Sequence, residues 1–191
     1  MPKLIVYDIE IEKPIPPKDG PMEQDIDYCE GWGDHAGMGI AMIGVYDFTD
    51  GMPRIYWKDN IEELWRLMDE ADVIAGFNNQ NFDDKIMAAI GYQIPPEKSY
   101  DLFLEIKEAA GAKRYAKGYN LDNCCYVNLG VRKIGEAAQA PVLWQRGQYG
   151  RCINYGLWDI SMEYRLLKMA MDQPLLDPGN PSQRIFVKSP L

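Results

Sequence analysis

The chain has 191 residues, 47% of them hydrophobic and 26% charged, which suits one domain with a substantial core. Its net charge of −9 argues against broad electrostatic capture of nucleic acid, although carboxylates that hold cations also count as negative in that sum. No apolar run approaches the roughly 20 residues that span a bilayer, and no basic segment with an apolar core opens the chain, so a cytoplasmic protein without a membrane partner is expected.

The first strand is expected over residues 3–12. Side chains alternate faces along a strand. Asp8, Glu10 and Glu12 therefore share one face, and Tyr7, Ile9 and Ile11 the other. Two readings stand for this face. It is either the solvated side of an edge strand, or a set of carboxylates gathered around a divalent cation such as magnesium or manganese. Residues 13–37 follow as a long loop with Pro14, Pro16, Pro17, Gly20 and Pro21 and no periodicity. Loops of this length inside a domain are commonly functional lids or disordered. His35 lies in it without an assigned role.

Residues 40–48 read as a buried strand, Asp50-Gly51 as a hairpin turn, and 54–57 as the return strand. Asn60 can cap a helix over 61–70 with Leu64, Leu67 and Met68 facing inward. Residues 73–77 form a short apolar strand. It ends in Asn78-Asn79-Gln80-Asn81-Phe82-Asp83-Asp84, which opens a helix to about residue 90, with Gly91 as its C-cap. Residues 100–103 read as a short strand feeding a helix to 110. A basic loop covers 111–118, a helix covers 121–129, and 135–152 carry little pattern. The last long helix is expected over 153–171. Residues 173–191 hold four prolines and read as a tail, with 184–188 as a candidate strand. Cys29, Cys124, Cys125 and Cys152 form no Cys-x-x-Cys pair and read as reduced core residues. The pattern predicts a single-domain α/β fold with a mixed sheet flanked by helices.

Three features line up across this order. Asp8 and Glu10 lie on the first strand, Asp83 opens a helix, where backbone dipoles favour anions, and Tyr155 and Asp159 lie one turn apart on the last helix. Four carboxylates converging from strand, loop and helix suit a two-metal site, with cations about 3.5–4 Å apart, for phosphoryl transfer. Each residue also has a plainer reading. Asp83 can cap its helix while Asp84 is the active partner, Tyr155 can be a core aromatic, and Asn78, Asn81 and Phe82 can shape the turn. Asp101 reads as structural. The basic residues Lys107, Lys113, Arg114 and Lys117, then Arg132, Lys133, Arg146 and Arg151, form either a phosphate-contacting track or a solvated helix face.

Asp8-Ile9-Glu10, then Gly76-Phe77-Asn78-x-x-Asn81-Phe82-Asp83, then Tyr155-x-x-x-Asp159, resemble the DEDD superfamily of 3′–5′ exonucleases in its tyrosine subtype (DEDDy). The likeness is to the proofreading exonuclease domain of B-family DNA polymerases. Lys117-Gly118-Tyr119-Asn120-Leu121, Leu129-Gly130 and Lys133 also look like that family's helix before the third motif. Asn154 stands where the histidine subtype has its His. The resemblance implies an RNase H-like five-stranded sheet over residues 1–172, with 173–191 as a Pro-rich tail. It implies two divalent cations, Mg2+ or Mn2+, held by Asp8, Glu10, Asp83 and Asp159. Tyr155 would orient the attacking water. Phe77, Asn78, Asn81, Phe82, Lys117 and Tyr119 would lie along a single-stranded DNA 3′ end. The loop at 13–37 is longer than the resemblance provides for. No polymerase domain accompanies the motifs, so a free-standing exonuclease or a detached subunit is expected; by analogy it suits a phage or bacterial replication or repair set, with a polymerase or other replication proteins as candidate partners. An exoribonuclease, or a nuclease-like module that binds nucleic acid without cleaving it, are the alternatives.

Overall fold

A computed structural model describes residues 2–113, 116–135 and 138–191. A five-stranded mixed sheet runs in the order β3-β2-β1-β4-β5. Strands β1 (Leu4–Ile11), β2 (Ile40–Asp47) and β3 (Met52–Tyr56) form the expected antiparallel meander, and β4 (Val73–Gly76) and β5 (Ser99–Asp101) add in parallel on the other side of β1. With helices on both faces, this is the RNase H-like α/β architecture. Helix α2 covers Ile61–Glu70 and α3 covers Asp83–Ala89. Helix α4 covers Leu102–Ala109 and α5 covers Leu121–Leu129.

The alternation in β1 divides the core in two. Ile5, Tyr7 and Ile9 pack with Leu64 and Met68 of α2 and with Ile86 and Met87 of α3. Leu4 and Val6 pack on the opposite face with Leu102, Cys124, Ile160 and Leu166. Each such side chain contributes about 1.5–3 kcal/mol by leaving water. The second face continues into Asp8 and Glu10, so the strand's core register carries the carboxylates to the end of that face. Glu12 lies beyond β1 and is exposed.

Several expectations are corrected. The long loop holds a four-residue helix, α1 (His35–Met38), capped by Asp34, whose carboxylate accepts from Gly37 N at 2.9 Å. Helix α6 (Gln139–Gln145) occupies the stretch without pattern; Pro141 sits in its first turn, where a missing N–H costs nothing. Helix α7 starts earlier than expected and spans Tyr149–Asp172. The segment read as a tail contains a hairpin, β6 (Leu175–Asp177) with β7 (Asn180–Ile185). Leu175 and Ile185 anchor it in the core, so its prolines bound and edge a packed hairpin. All four cysteines are buried and free.

Candidate metal centre

Helix α7 lies close on the sheet because two glycines leave room. A Cβ on Gly44 of β2 would stand 2.5 Å from Ile160 Cγ1, and one on Gly156 would stand 2.4 Å from Met42 Cε. That approach brings the Tyr155–Asp159 face of α7 over Asp8 and Glu10. One oxygen each from Asp8, Glu10 and Asp159 lies within 4.8 Å of the others. Glu10 and Asp159 are buried and Asp8 is part-exposed toward a groove.

Asp83 reaches the same end of β1 from the other side. The β1–β4 ladder stops at Val6–Ala75, which leaves the Ile9 N–H without a strand partner on that edge. It donates to Asp83 Oδ1 at 3.0 Å. Asp83 lies outside the three-carboxylate cluster, but its charge and that of Asp8 act on each other. Asp84 points elsewhere: it accepts from the Tyr7 hydroxyl, from Asn79 Nδ2 (3.0 Å) and from Ser99 Oγ (2.6 Å). Of the two neighbours, Asp83 faces the carboxylates and Asp84 ties β1 to β5.

The intervening turn is tightly held. A Cβ on Gly76 would stand 2.8 Å from Asn79 Cβ and 3.1 Å from Tyr7 O. Asn78 has φ 67°, a left-handed conformation that asparagine tolerates better than most residues. Asp101, the N-cap of α4, accepts from Asn78 N at 2.9 Å and Gln80 N at 3.3 Å. Asn81 Nδ2 donates to Asn78 Oδ1 at 3.1 Å.

Two further residues join the carboxylates and Tyr155: Glu163, which no motif named, and Lys133, which the resemblance included without a role at the cluster. Glu163, one further turn along the same face of α7, is 3% exposed and its Oε2 has no hydrogen-bond partner among the described residues. The i, i+4, i+8 series Tyr155, Asp159, Glu163 was the signal that could have found it. Lys133 donates to Asp159 Oδ2, and its Nζ lies 3.3 Å from the Tyr155 hydroxyl. It comes from the irregular stretch after α5, positioned by its own N–H donating to Asp122 at 2.8 Å. The basic series and the resemblance both included Lys133, but neither placed it against Asp159 and Tyr155.

Five carboxyl groups around one ammonium carry an electrostatic cost. Burial, then Asp159, raises the Asp8 pKa to about 6. Burial, then Asp8, pushes Glu10, Asp83 and Glu163 well above the ordinary carboxylate range. Burial also raises Asp159, against the opposing pull of Lys133. Burial works against the Lys133 charge, but Asp159 and Tyr155 outweigh it and hold the ammonium protonated. Burial, then Asp159, keeps the Tyr155 phenol neutral. The donor set is all carboxylate oxygen, and both Asp159 Oδ1 and Glu163 Oε2 lack partners among the described residues. Buried polar atoms are seldom left so, and hard divalent cations suit these ligands. The residues present therefore fit such a cation.

Two recesses meet at the cluster. An open groove of about 750 Å³ includes Asp8, Phe77, Lys117, Lys133 and Glu163, and Asn78 also lines it. Tyr119 forms part of its wall, but the ring is buried and its hydroxyl donates to Asp177 of the hairpin at 2.9 Å. A second recess, beside Glu10, includes Phe82 and again Asn78. Phe77 and Phe82 thus stand on opposite sides of the turn. Of the two readings of the basic residues, neither a continuous track nor a single solvated face describes them. Lys113 and Lys117 are exposed, whereas Lys107 is buried with its Nζ 5.0 Å from the Phe103 ring centre. Arg132 pairs with Asp122, Arg146 with Glu23 and Asp25, and Arg151 with Gln148. Arg114 lies outside the described residues.

The fold is similar to that of a family B DNA polymerase from the hyperthermophilic archaeon Pyrobaculum calidifontis, with a TM-score of 0.62 and 16% identity over 90% of this chain. This chain covers 25% of that polymerase. At such identity the likeness shows the fold alone. No protein-family model and no curated relative matches the sequence.

Proposed function

We propose that the chain is a metal-dependent 3′–5′ exonuclease of the tyrosine DEDD type, hydrolysing single-stranded or frayed DNA ends to nucleoside monophosphates. The convergence of Asp8, Glu10 and Asp159 oxygens beneath Tyr155 carries this reading. A solvated strand face has no reason to bury Glu10 against Asp159, because unpaired buried carboxylates cost free energy. Asp8, Glu10 and Asp159 would hold one divalent cation, and Asp8 with Asp83 a second. Bound there, such cations neutralise the carboxylates, orient the phosphate and lower the pKa of water.

The remaining roles follow from the side chains. Water oxygen forms the new bond to phosphorus. The attacking water gives up a proton as its oxygen bonds, the P–O3′ bond breaks, and the leaving 3′-oxygen takes up a proton from solvent, so that no net proton is consumed in forming the hydroxyl. The terminal nucleotide departs as a 5′-monophosphate. Tyr155 is neutral and hydrogen-bonds the water, since a phenol of raised pKa is a poor base. Lys133 supplies a fixed positive charge beside the phosphate as negative charge grows on its oxygens. Lys117 contacts phosphates upstream. Asn78, Asn81, Phe77 and Phe82 guide the strand past the turn.

The test is a 5′-labelled single strand with Mg2+ or Mn2+. Stepwise shortening from the 3′ end is expected, with loss of activity in Asp8→Ala and Asp159→Ala. Normal cleavage by those variants would sink the assignment. Matched DNA and RNA strands in the same assay separate deoxyribonuclease from ribonuclease, and DNA binding without cleavage would support the module reading. Association with a polymerase or other replication protein fits this activity.

A further inference from the structure

Glu163 occupies a costly position on α7. It follows Asp159 by one turn, and its neighbours Met162 and Leu166 are fully buried in the core. An apolar side chain would suit that setting. Glu163 is itself 3% exposed, and its Oε2 has no hydrogen-bond partner among the described residues. Protonation does not remedy this, because a neutral carboxyl also needs partners for its oxygens. Lys133 pairs with Asp159. Burial of a carboxylate on these terms is unfavourable unless a cation meets it.

The other carboxylates indicate which cation that is. Asp8, Glu10 and Asp159 form a set with oxygens within 4.8 Å of one another, and Asp83 and Glu163 both lie outside it. Glu163 lines the open groove together with Asp8. Among neighbouring charges, Asp8 acts most strongly on both Asp83 and Glu163. Asp83 comes next for Glu163, ahead of Asp159 on its own helix. Asp8 is therefore shared by two sets. Glu10 and Asp159 complete one, and Asp83 from the start of α3 and Glu163 from α7 complete the other.

Resting on the exonuclease reading above, we infer that Glu163 is a direct ligand of the second divalent cation, together with Asp8 and Asp83. Hard cations take carboxylate oxygens, and affinity depends on the count of charged ligands. The charges of two such cations, Lys133 and five ionised carboxylates (Asp8, Glu10, Asp83, Asp159 and Glu163) cancel. Without Glu163 one positive charge is left over, and the second ion must wait for a phosphate. Glu163 thus lets the free protein hold both ions before nucleic acid arrives.

The experiment is Mn2+ binding to the metal-free protein at pH 7.5 without nucleic acid, followed by titration calorimetry and electron paramagnetic resonance. The wild type is expected to take up two ions and to show the spectrum of a spin-coupled pair. Glu163→Gln keeps the shape and removes the charge. It should hold one ion at about wild-type affinity and the other at least about tenfold more weakly, since loss of even an outer-shell partner costs about that much. The coupled spectrum should disappear at stoichiometric Mn2+. In EDTA the variant should melt no lower than the wild type, which a merely structural role would not allow, and Mn2+ should raise its melting temperature less. Raised Mn2+ should restore its cleavage of single strands. Glu163→Met, which fills the volume without a charge, carries the same expectations if the amide is not tolerated. Two tightly held ions in the variant, or a single ion in a wild type that cleaves normally, overturns the ligand assignment and leaves the exonuclease reading intact. A wild type that binds both ions through Glu163 but cleaves no strand sinks the exonuclease reading alone. A wild type that neither binds Mn2+ nor cleaves overturns both.

Discussion

Removing divalent cations should make this fold less stable as pH rises, the reverse of ordinary acid denaturation. The Asp8 carboxyl has a pKa of about 6 in the folded protein against an ordinary 3.8. A carboxyl whose folded pKa is raised stabilises the fold while protonated. That contribution is complete below the unfolded pKa and is lost as pH rises through the folded one. For Asp8 the full term is at most about 3 kcal/mol, of which roughly 1.4 kcal/mol remains at pH 5 and almost none at pH 7.5. Glu10, Asp83 and Glu163 act in the same direction. Against a typical total of about 5–15 kcal/mol, this is readily measured. Urea unfolding in EDTA at constant ionic strength should give a free energy lower at pH 7.5 than at pH 5 by at least about 1 kcal/mol. Asp8→Asn should flatten the slope. Saturating Mn2+ should invert it, because cation binding needs ionised ligands and stabilises by about 2.7 kcal/mol at a hundredfold excess over Kd. An EDTA-treated protein as stable at pH 7.5 as at pH 5, or an unchanged slope in Asp8→Asn, would refute the reasoning.

Three further outcomes are expected. Lys133→Met removes the cation beside Asp159 and Tyr155. It should lower kcat on single strands by roughly a hundredfold, as for loss of one electrostatic donor at a reacting centre, with circular dichroism unchanged. Gly44→Ala places a Cβ 2.5 Å from Ile160 Cγ1. It should cost about 1–3 kcal/mol in chemical denaturation, because the core behind Ile160 is packed and α7 must shift. Tyr119→Phe leaves buried Asp177 without its phenol donor. It should cost about 1–3 kcal/mol and speed amide exchange in the 175–185 hairpin first; exchange that stays uniform would show that the hairpin docks without this bond.

Much of the architecture was legible in local pattern. The run Leu4 to Val6 leading into alternating Asp8 and Glu10, the Asp50-Gly51 turn and the periodicity over 61–70 placed β1, β2, β3 and α2 with small boundary errors. Asn60 stands at the start of α2, but its side chain accepts from Trp57 N at 2.8 Å and does not cap the helix. Period-two alternation dictated that Asp8 and Glu10 share a face, whatever packs on it. The four-residue spacing dictated the same for Tyr155 and Asp159. Helix α6 escaped because Pro141 and neighbouring small residues carry weak local signals, and docking of Ala140 beside Cys152 and Tyr155 compensates. The hairpin at 175–185 escaped because prolines suggest a tail unless two distant apolar side chains, Leu175 and Ile185, find the core.

What the sequence by itself determined, then, is which side chains travel together on each element, because strand and helix periods are properties of the backbone. Only the tertiary structure decided which elements meet. It turned Asp83 toward Asp8 and committed Asp84 to Tyr7 and Ser99, a choice between neighbours that the periodicity left open and the motif Phe82-Asp83 made only by resemblance. It drew Lys133 onto Asp159, added Glu163 to the carboxylates, spent Arg146 on the long loop and left Trp32 facing the pocket beside Glu10. These are contacts between residues far apart in the chain, and their energies depend on burial and distance, which exist only once the sheet and α7 have closed on one another.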